Sequence, residues 1–199
     1  MAQAQRARSG SDSGFTLVEL LIYMAFSVIV LSLVGGMLIS TLNAQKSIVA
    51  RSEATTSGQA VAQSVHSGVR NAVNHTLTPT NSRADTDQLL VVQSLDLGTE
   101  TNPTCLAWYY STAGDGAIYY QRSAAPITAP EGTDSAGWLL LATGVQSPTG
   151  IFDDAGSGSG TRIALSFSVS ADAESAPVWF ESTTISRENR SETACVSND

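Results

Sequence analysis

Few residues of this 199-residue chain are of types and spacings that could do chemistry. The most telling is a carboxylate in apolar company. Glu19 borders and belongs to an apolar run that continues from Leu20 to Ile39 without a charge. A lone carboxylate in hydrocarbon costs about 2–3 kcal/mol or more unless it finds a partner or reaches the interface. A segment needed only as an anchor would do better without it. The remaining candidates are weaker. His66 and His75 do not share the i, i+4 spacing of a helical metal pair and have no cysteine nearby, so both are expected as polar residues on a helix surface. Asp85 and Asp87 fall in a loop-like stretch and are expected to be solvated turn residues. Asp153 and Asp154 open the glycine-rich stretch 153–161, which is loop-like by composition. It lacks the Gly-Lys-Ser/Thr of a phosphate cradle and any calcium-loop pattern supplying about six to eight oxygens. Serines are scattered throughout, and no Ser–His–Asp order can be built from them. The chain is therefore expected not to be an enzyme, with no cofactor and no metal site.

The carboxylate gains meaning from its neighbours. Gly14-Phe15-Thr16-Leu17-Val18-Glu19 resembles the cleavage and methylation motif of prepilins, the precursors of type IV pilins and type II secretion pseudopilins. In that family a short polar, basic leader ends in Gly, Phe becomes the new N-terminus, a Glu follows four residues later, and an apolar helix continues. The resemblance covers the leader and the apolar run. It implies that a membrane prepilin peptidase cuts between Gly14 and Phe15 and methylates the Phe15 amine. It also implies that Glu19 pairs with a terminal amine during assembly. The electrostatics agree: cutting creates an ammonium one helical turn from Glu19, and pairing within a subunit or between neighbours lowers the cost of both charges in an apolar setting. Tyr23 and Met24 within Phe15–Met37, together with the ending V-W-F-E-S-T-T-I-S-R-E-N, resemble the W-type minor pilins and J-type minor pseudopilins. That resemblance implies a structural subunit that initiates or caps a type IV pilus or a type II secretion pseudopilus. Its partners would be the peptidase, other pilin or pseudopilin subunits met through the N-terminal helix, and the inner membrane.

These residues need elements to position them. Residues 1–14 are polar and small, and are expected to be a removable leader. Residues 15–42 form a run long enough for a transmembrane helix, which takes about 20 apolar residues. Residues 43–75 are expected to continue the helix as an amphipathic stretch, because Val61, Val65, Val69 and Val73 recur every fourth position beside Ala54, Gly58, Ala62, Gly68 and Ala72. Gly35-Gly36 interrupts the apolar run, either for close helix packing or as a point where the helix can extend. Residues 76–199 are expected to form an extracytoplasmic, β-rich globular domain, starting with a loop at Thr76–Asp87. Five runs there have strand composition: Gln88–Leu95, Cys105–Ser111, Ala117–Arg122, Arg162–Ser170 and Val178–Ser186. Gly114-Asp115-Gly116 should join the second to the third as a hairpin, and Trp138–Val145 suits a strand or a short helical turn. The expected fold class is α+β, a long N-terminal helix, membrane-spanning in its first half, packed on an antiparallel sheet. The pilin resemblance implies the same layout.

Charge and cysteine usage set the compartment. Arg6 and Arg8 before the apolar run should hold the N-terminus in the cytoplasm by the positive-inside rule, which would place the domain outside the membrane. Cys105 and Cys195, the two cysteines, would there meet oxidising conditions and have one way to pair, the alternative being two separate buried thiols. The formal charge of −8 argues against direct nucleic-acid binding. A membrane-anchored binding module, such as a pilus-tip adhesin or DNA-uptake component, is the alternative function, and exposure of Trp108, Tyr109 or Trp138 would favour it.

Overall fold

The computed structural model describes residues 16–79, 86–95, 103–130, 136–154, 162–172, 175–186 and 195. Its first element is helix α1, Leu17–Arg70. Thr16 starts it, its Oγ1 accepting the Glu19 N–H at 3.3 Å, as an N-cap hydroxyl does for a donor with no partner in the helix. The chain divides into two compact units, Met1–Lys46 and Ser47–Asp199, and α1 runs through the boundary.

In the first unit the apolar side chains of α1 are exposed on every face, from Leu17 and Val18 through Phe26 and Leu33 to Leu42. The most apolar 18-residue window has a mean hydropathy of 2.5 and none of it is buried, so the helix is long and apolar enough to cross a membrane. A helix that is apolar all round belongs in a large core or a bilayer. Two of its hydroxyls are satisfied locally: Ser32 Oγ donates to the Val28 carbonyl at 2.8 Å and Thr41 Oγ1 to that of Met37 at 2.9 Å. The helix continues unbroken through Gly35-Gly36.

In the second unit α1 has one buried stripe, Ala50, Ala54, Gly58, Val61, Val65, Gly68 and Val69, as the four-residue recurrence of valine foretells. The glycines in it are there for room. A Cβ on Gly58 would lie 2.1 Å from Phe180 Cε2, and one on Gly68 would lie 2.1 Å from Trp108 Cη2. Trp108 is fully buried against this stripe, and its Nε1–H donates to Ser64 Oγ at 2.9 Å, which spares the indole an unpaired donor.

The helix ends at Arg70, earlier than the amphipathic continuation to residue 75 expected from the valine repeat. Asn71 Nδ2 donates to the Ser67 carbonyl at 2.9 Å, satisfying an acceptor of the last turn. Strand β1, Ala72–Thr78, follows at once. Val73 keeps the four-residue spacing but belongs to this strand, whose Val, Thr and Leu residues gain more from pairing than from another helical turn.

Strands β1, β2 (Gln88–Leu95), β3 (Pro103–Ser111), β4 (Ala117–Ser123) and β5 (Leu139–Thr143) form an antiparallel sheet in chain order. The β3–β4 hairpin turns through Gly114 and Gly116, both at positive φ. Both faces of this sheet are covered in its middle, which is why Q-L-L-V-V lacks clean alternation. Leu90, Val92, Trp108 and Ile118 join the core beneath the helix, whereas Leu89, Val91, Ala107 and Tyr109 face a second cluster with Ile127, Cys105 and Cys195. The two cysteines form a disulfide with Cα atoms 5.5 Å apart, and Ile127 N–H donates to the Cys195 carbonyl at 3.0 Å. This bond fixes residue 195 over the second face of the sheet.

The remaining strands make a separate antiparallel sheet, so the expected single sheet is in fact two. Strand β8 (Arg162–Val169) is central. Along one edge it pairs successively with β7 (Phe152–Asp154) and β6 (Val145–Gln146), and β9 (Val178–Ile185) follows it along the other. Trp138–Val145 accordingly splits into β5 and the start of β6 at Gly144. That glycine has φ +66° and lies so close to Ser170 that an added Cβ would be 2.0 Å from its carbonyl oxygen. No larger residue fits where the chain leaves one sheet for the other.

One buried side chain stitches the two sheets. Gln88, at the start of β2, is fully buried. Its Oε1 accepts the backbone N–H groups of Ile151 (2.6 Å) and Phe152 (3.0 Å), and its Nε2 donates to the Phe152 carbonyl at 3.0 Å. Gln88→Leu keeps the bulk but removes these three hydrogen bonds, so it should cost about 1.5–4.5 kcal/mol at roughly 0.5–1.5 kcal/mol net per bond. Urea unfolding of the full chain in detergent, followed by tryptophan fluorescence, measures it, and an unchanged midpoint would refute the stitch. The disulfide closes a 90-residue separation. Cys195→Ser should lower the melting temperature, with an upper bound of about 4–5 kcal/mol from unfolded-state entropy. An unchanged melting curve would mean that the bridge adds nothing to native stability.

Candidate functional site

The candidate site is the N-terminal end of α1. The cleavage and methylation positions, Gly14 and Phe15, lie outside the described residues. Glu19 lies in the first turns of the helix and is half-buried among exposed apolar neighbours. Its backbone is fixed by the Thr16 hydroxyl, and its Oε1 accepts a hydrogen bond from the Tyr23 hydroxyl at 3.1 Å. The two side chains are four apart on one helix face, where such pairs meet. Tyr23 enters the sequence reading only through the subfamily resemblance. The i, i+4 spacing of a carboxylate and a phenol was the signal that could have found it.

Among the described residues of the second unit, two further groupings of ionisable residues stand out. His75 is on β1, not on the helix as expected, and its Nε2 lies 3.3 Å from Asp154 Oδ2. Asp153 and Asp154 belong to strand β7, not to a loop, and residues 155–161 lie outside the described residues. This pair joins the edge of one sheet to the edge of the other, with side chains 13% and 40% exposed. Among the described residues no group of three or more His, Cys, Asp or Glu could hold a metal ion. His66 remains on α1, exposed, as expected.

Asp87 overturns its expected role as a solvated turn residue; Asp85 lies outside the described residues. Asp87 Oδ1 accepts the Thr112 N–H and hydroxyl, each at 2.7 Å, and Oδ2 accepts the Tyr109 hydroxyl at 2.5 Å. It ties the entry of β2 to the β3–β4 turn. Burial alone pushes its carboxyl up, but the bonds from the Thr112 N–H, the Tyr109 hydroxyl and the Thr112 hydroxyl together outweigh burial and hold it below its ordinary value of 3.8. The Tyr109 hydroxyl moves the other way, pushed up to about 12 by burial and then by the Asp87 carboxylate beside it. These residues form a structural knot.

The aromatics whose exposure would favour ligand binding are mostly inside. Trp108 and Tyr109 are buried, and Trp138 is half-buried, its ring centroid 5.9 Å from that of Tyr109. Among the described residues the second unit exposes Ile48 and Val49 on α1, and Leu139, Leu140, Trp179 and Ile185 on the edge strands β5 and β9.

Because the folded-state pKa of Asp87 is depressed, its contribution to stability is present above the ordinary carboxylate value and is lost as pH falls through the folded value. Asp87→Asn should therefore lower stability at neutral pH and flatten the decline below about pH 4. Parallel acid-unfolding curves for the two proteins check this, and equal slopes would disprove the anchor. Comparison of the chain with protein-family models, with curated proteins and with solved structures finds no match.

Proposed function

We propose that this chain is a minor pilin or pseudopilin, a structural subunit that helps to initiate or cap a type IV pilus or a type II secretion pseudopilus. The observation that carries the reading is the combination at the start of α1. The part of the helix within the first unit, apolar on all faces and unburied, bears a single acidic residue, Glu19, directly after Gly14-Phe15-Thr16-Leu17-Val18. An anchor alone has no use for that carboxylate, whereas an assembly of such helices does. After removal of residues 1–14 by a prepilin peptidase, the Phe15 ammonium of one subunit pairs with Glu19 of another and sets the axial register of otherwise featureless apolar rods. The domain faces the extracytoplasmic side, where its disulfide is stable. The chain acts through protein partners and carries out no reaction of its own.

A second reading, a membrane-anchored binding module, draws on the exposed Trp179. It loses support from the burial of Trp108 and Tyr109, the aromatics on which it chiefly relied.

Intact-mass and N-terminal peptide spectrometry of the chain isolated from its native membrane should find N-methylated Phe15 as the first residue. An intact leader, or a cut near residue 40, would remove the basis of this reading. Glu19→Ala should leave insertion and cleavage unchanged, because it makes the segment more apolar, and should strongly reduce recovery of the chain in filaments or subunit complexes. Normal assembly of that variant would sink the pairing mechanism.

A further inference from the structure

Pairing with a terminal amine gives Glu19 a partner on another chain but leaves its state before that encounter undefined. The geometry of the first turns supplies an answer. Helical side chains lean toward the N-terminus, so Tyr23 extends back over the turn that carries Glu19, and its hydroxyl reaches Glu19 Oε1 at 3.1 Å. A phenol suits this position. Its ring is apolar and lies with Leu20, Met24 and Ser27 along one face of the helix, while its single hydroxyl donates to the carboxylate. Oxygen-to-hydroxyl bonding satisfies part of the carboxylate without neutralising it. A carboxylate has two oxygens, each able to accept, so a bond at Oε1 leaves Oε2 able to take a cation.

Direction matters as much as strength. Two donors can compete for Glu19 from its own chain: the Phe15 amine four residues before it and Tyr23 four residues after it. A bond to Tyr23 draws the carboxylate toward the C-terminal side of its turn, away from its own terminus. We propose that Tyr23 is a positioning residue for Glu19, holding the carboxylate along the helix so that it receives the terminal amine of another subunit in preference to its own. This inference rests on the pilin reading. It adds a determinant of that pairing that lies outside the cleavage motif.

The test uses the full chain produced in its native cells, with three substitutions at one position. Tyr23→Phe keeps the ring and removes only the hydroxyl. Tyr23→Gln removes the ring but restores a donor within reach at i+4. Tyr23→Leu removes both. For each, the readouts are the amount of mature chain in the membrane, the mass of its N-terminus, and the fraction of mature chain recovered with other subunits after mild detergent extraction. The expected result is unchanged processing and membrane level, with the co-recovered fraction about tenfold lower for Phe and Leu, and Gln lying between them and the wild type, as for loss of one hydrogen bond to a charged group. A role in apolar packing alone would give the reverse order, with Phe near wild type and Gln impaired. That order, or wild-type recovery for Tyr23→Phe, overturns the proposal while leaving the pilin reading in place. A chain that keeps its leader in the wild type overturns the pilin reading, and the proposal with it.

Discussion

The second unit depends on how closely its helix can approach two sheets. Two glycines on the buried stripe of α1 admit one aromatic ring each, Trp108 from the first sheet at Gly68 and Phe180 from the second at Gly58. A methyl group at either position would overlap its ring, so the small residues set the distance between helix and sheets. The rings are themselves fixed. Trp108 is bonded to Ser64 and packs on Tyr120, and Phe180 stacks on Phe167 of the neighbouring strand at a centroid distance of 5.2 Å. One helix face thus becomes the common floor of both sheets, and a single core forms from strands that are not all hydrogen-bonded to each other.

The polar groups near that core follow a division of labour that strand geometry imposes. Successive residues of a strand face opposite ways. At the entry of β2, Asp87 turns toward the β3–β4 turn and Gln88 turns inward to the backbone at Ile151 and Phe152. The charged residue takes the partly solvated side, where three hydrogen bonds to its oxygens outweigh the cost of partial burial. The neutral amide takes the dry side and leaves neither its nitrogen nor its oxygen without a partner, the arrangement that makes a buried polar residue specify one packing. Among the described residues no buried side-chain polar atom lacks a partner.

The first unit solves a different problem by the same accounting. Its apolar side chains face outward, and its polar atoms must find partners on their own helix. Ser32 and Thr41 use carbonyls one turn back, and Glu19 uses the Thr16 and Tyr23 hydroxyls. An apolar solvent or a bundle of similar helices is the environment that such a segment fits.

The sequence by itself determined what depends on near neighbours. The apolar run, the buried stripe at four-residue spacing, the α+β class and the five strand-like runs are local periodicities, and each is present in the structure. So is the Cys105–Cys195 bond, because two cysteines leave a single internal pairing. The tertiary structure decided where the helix stops, since Val73 fits helical and strand patterns alike and only pairing of β1 with β2 favours the strand. It decided that the strands divide into two sheets at Gly144, a positive-φ position that the sequence shows merely as another glycine. It also decided the roles of Asp87, Gln88 and His75, whose partners are distant in sequence. A polar residue's type states what it can bond, but only the fold brings the other half of the bond within 3 Å or so.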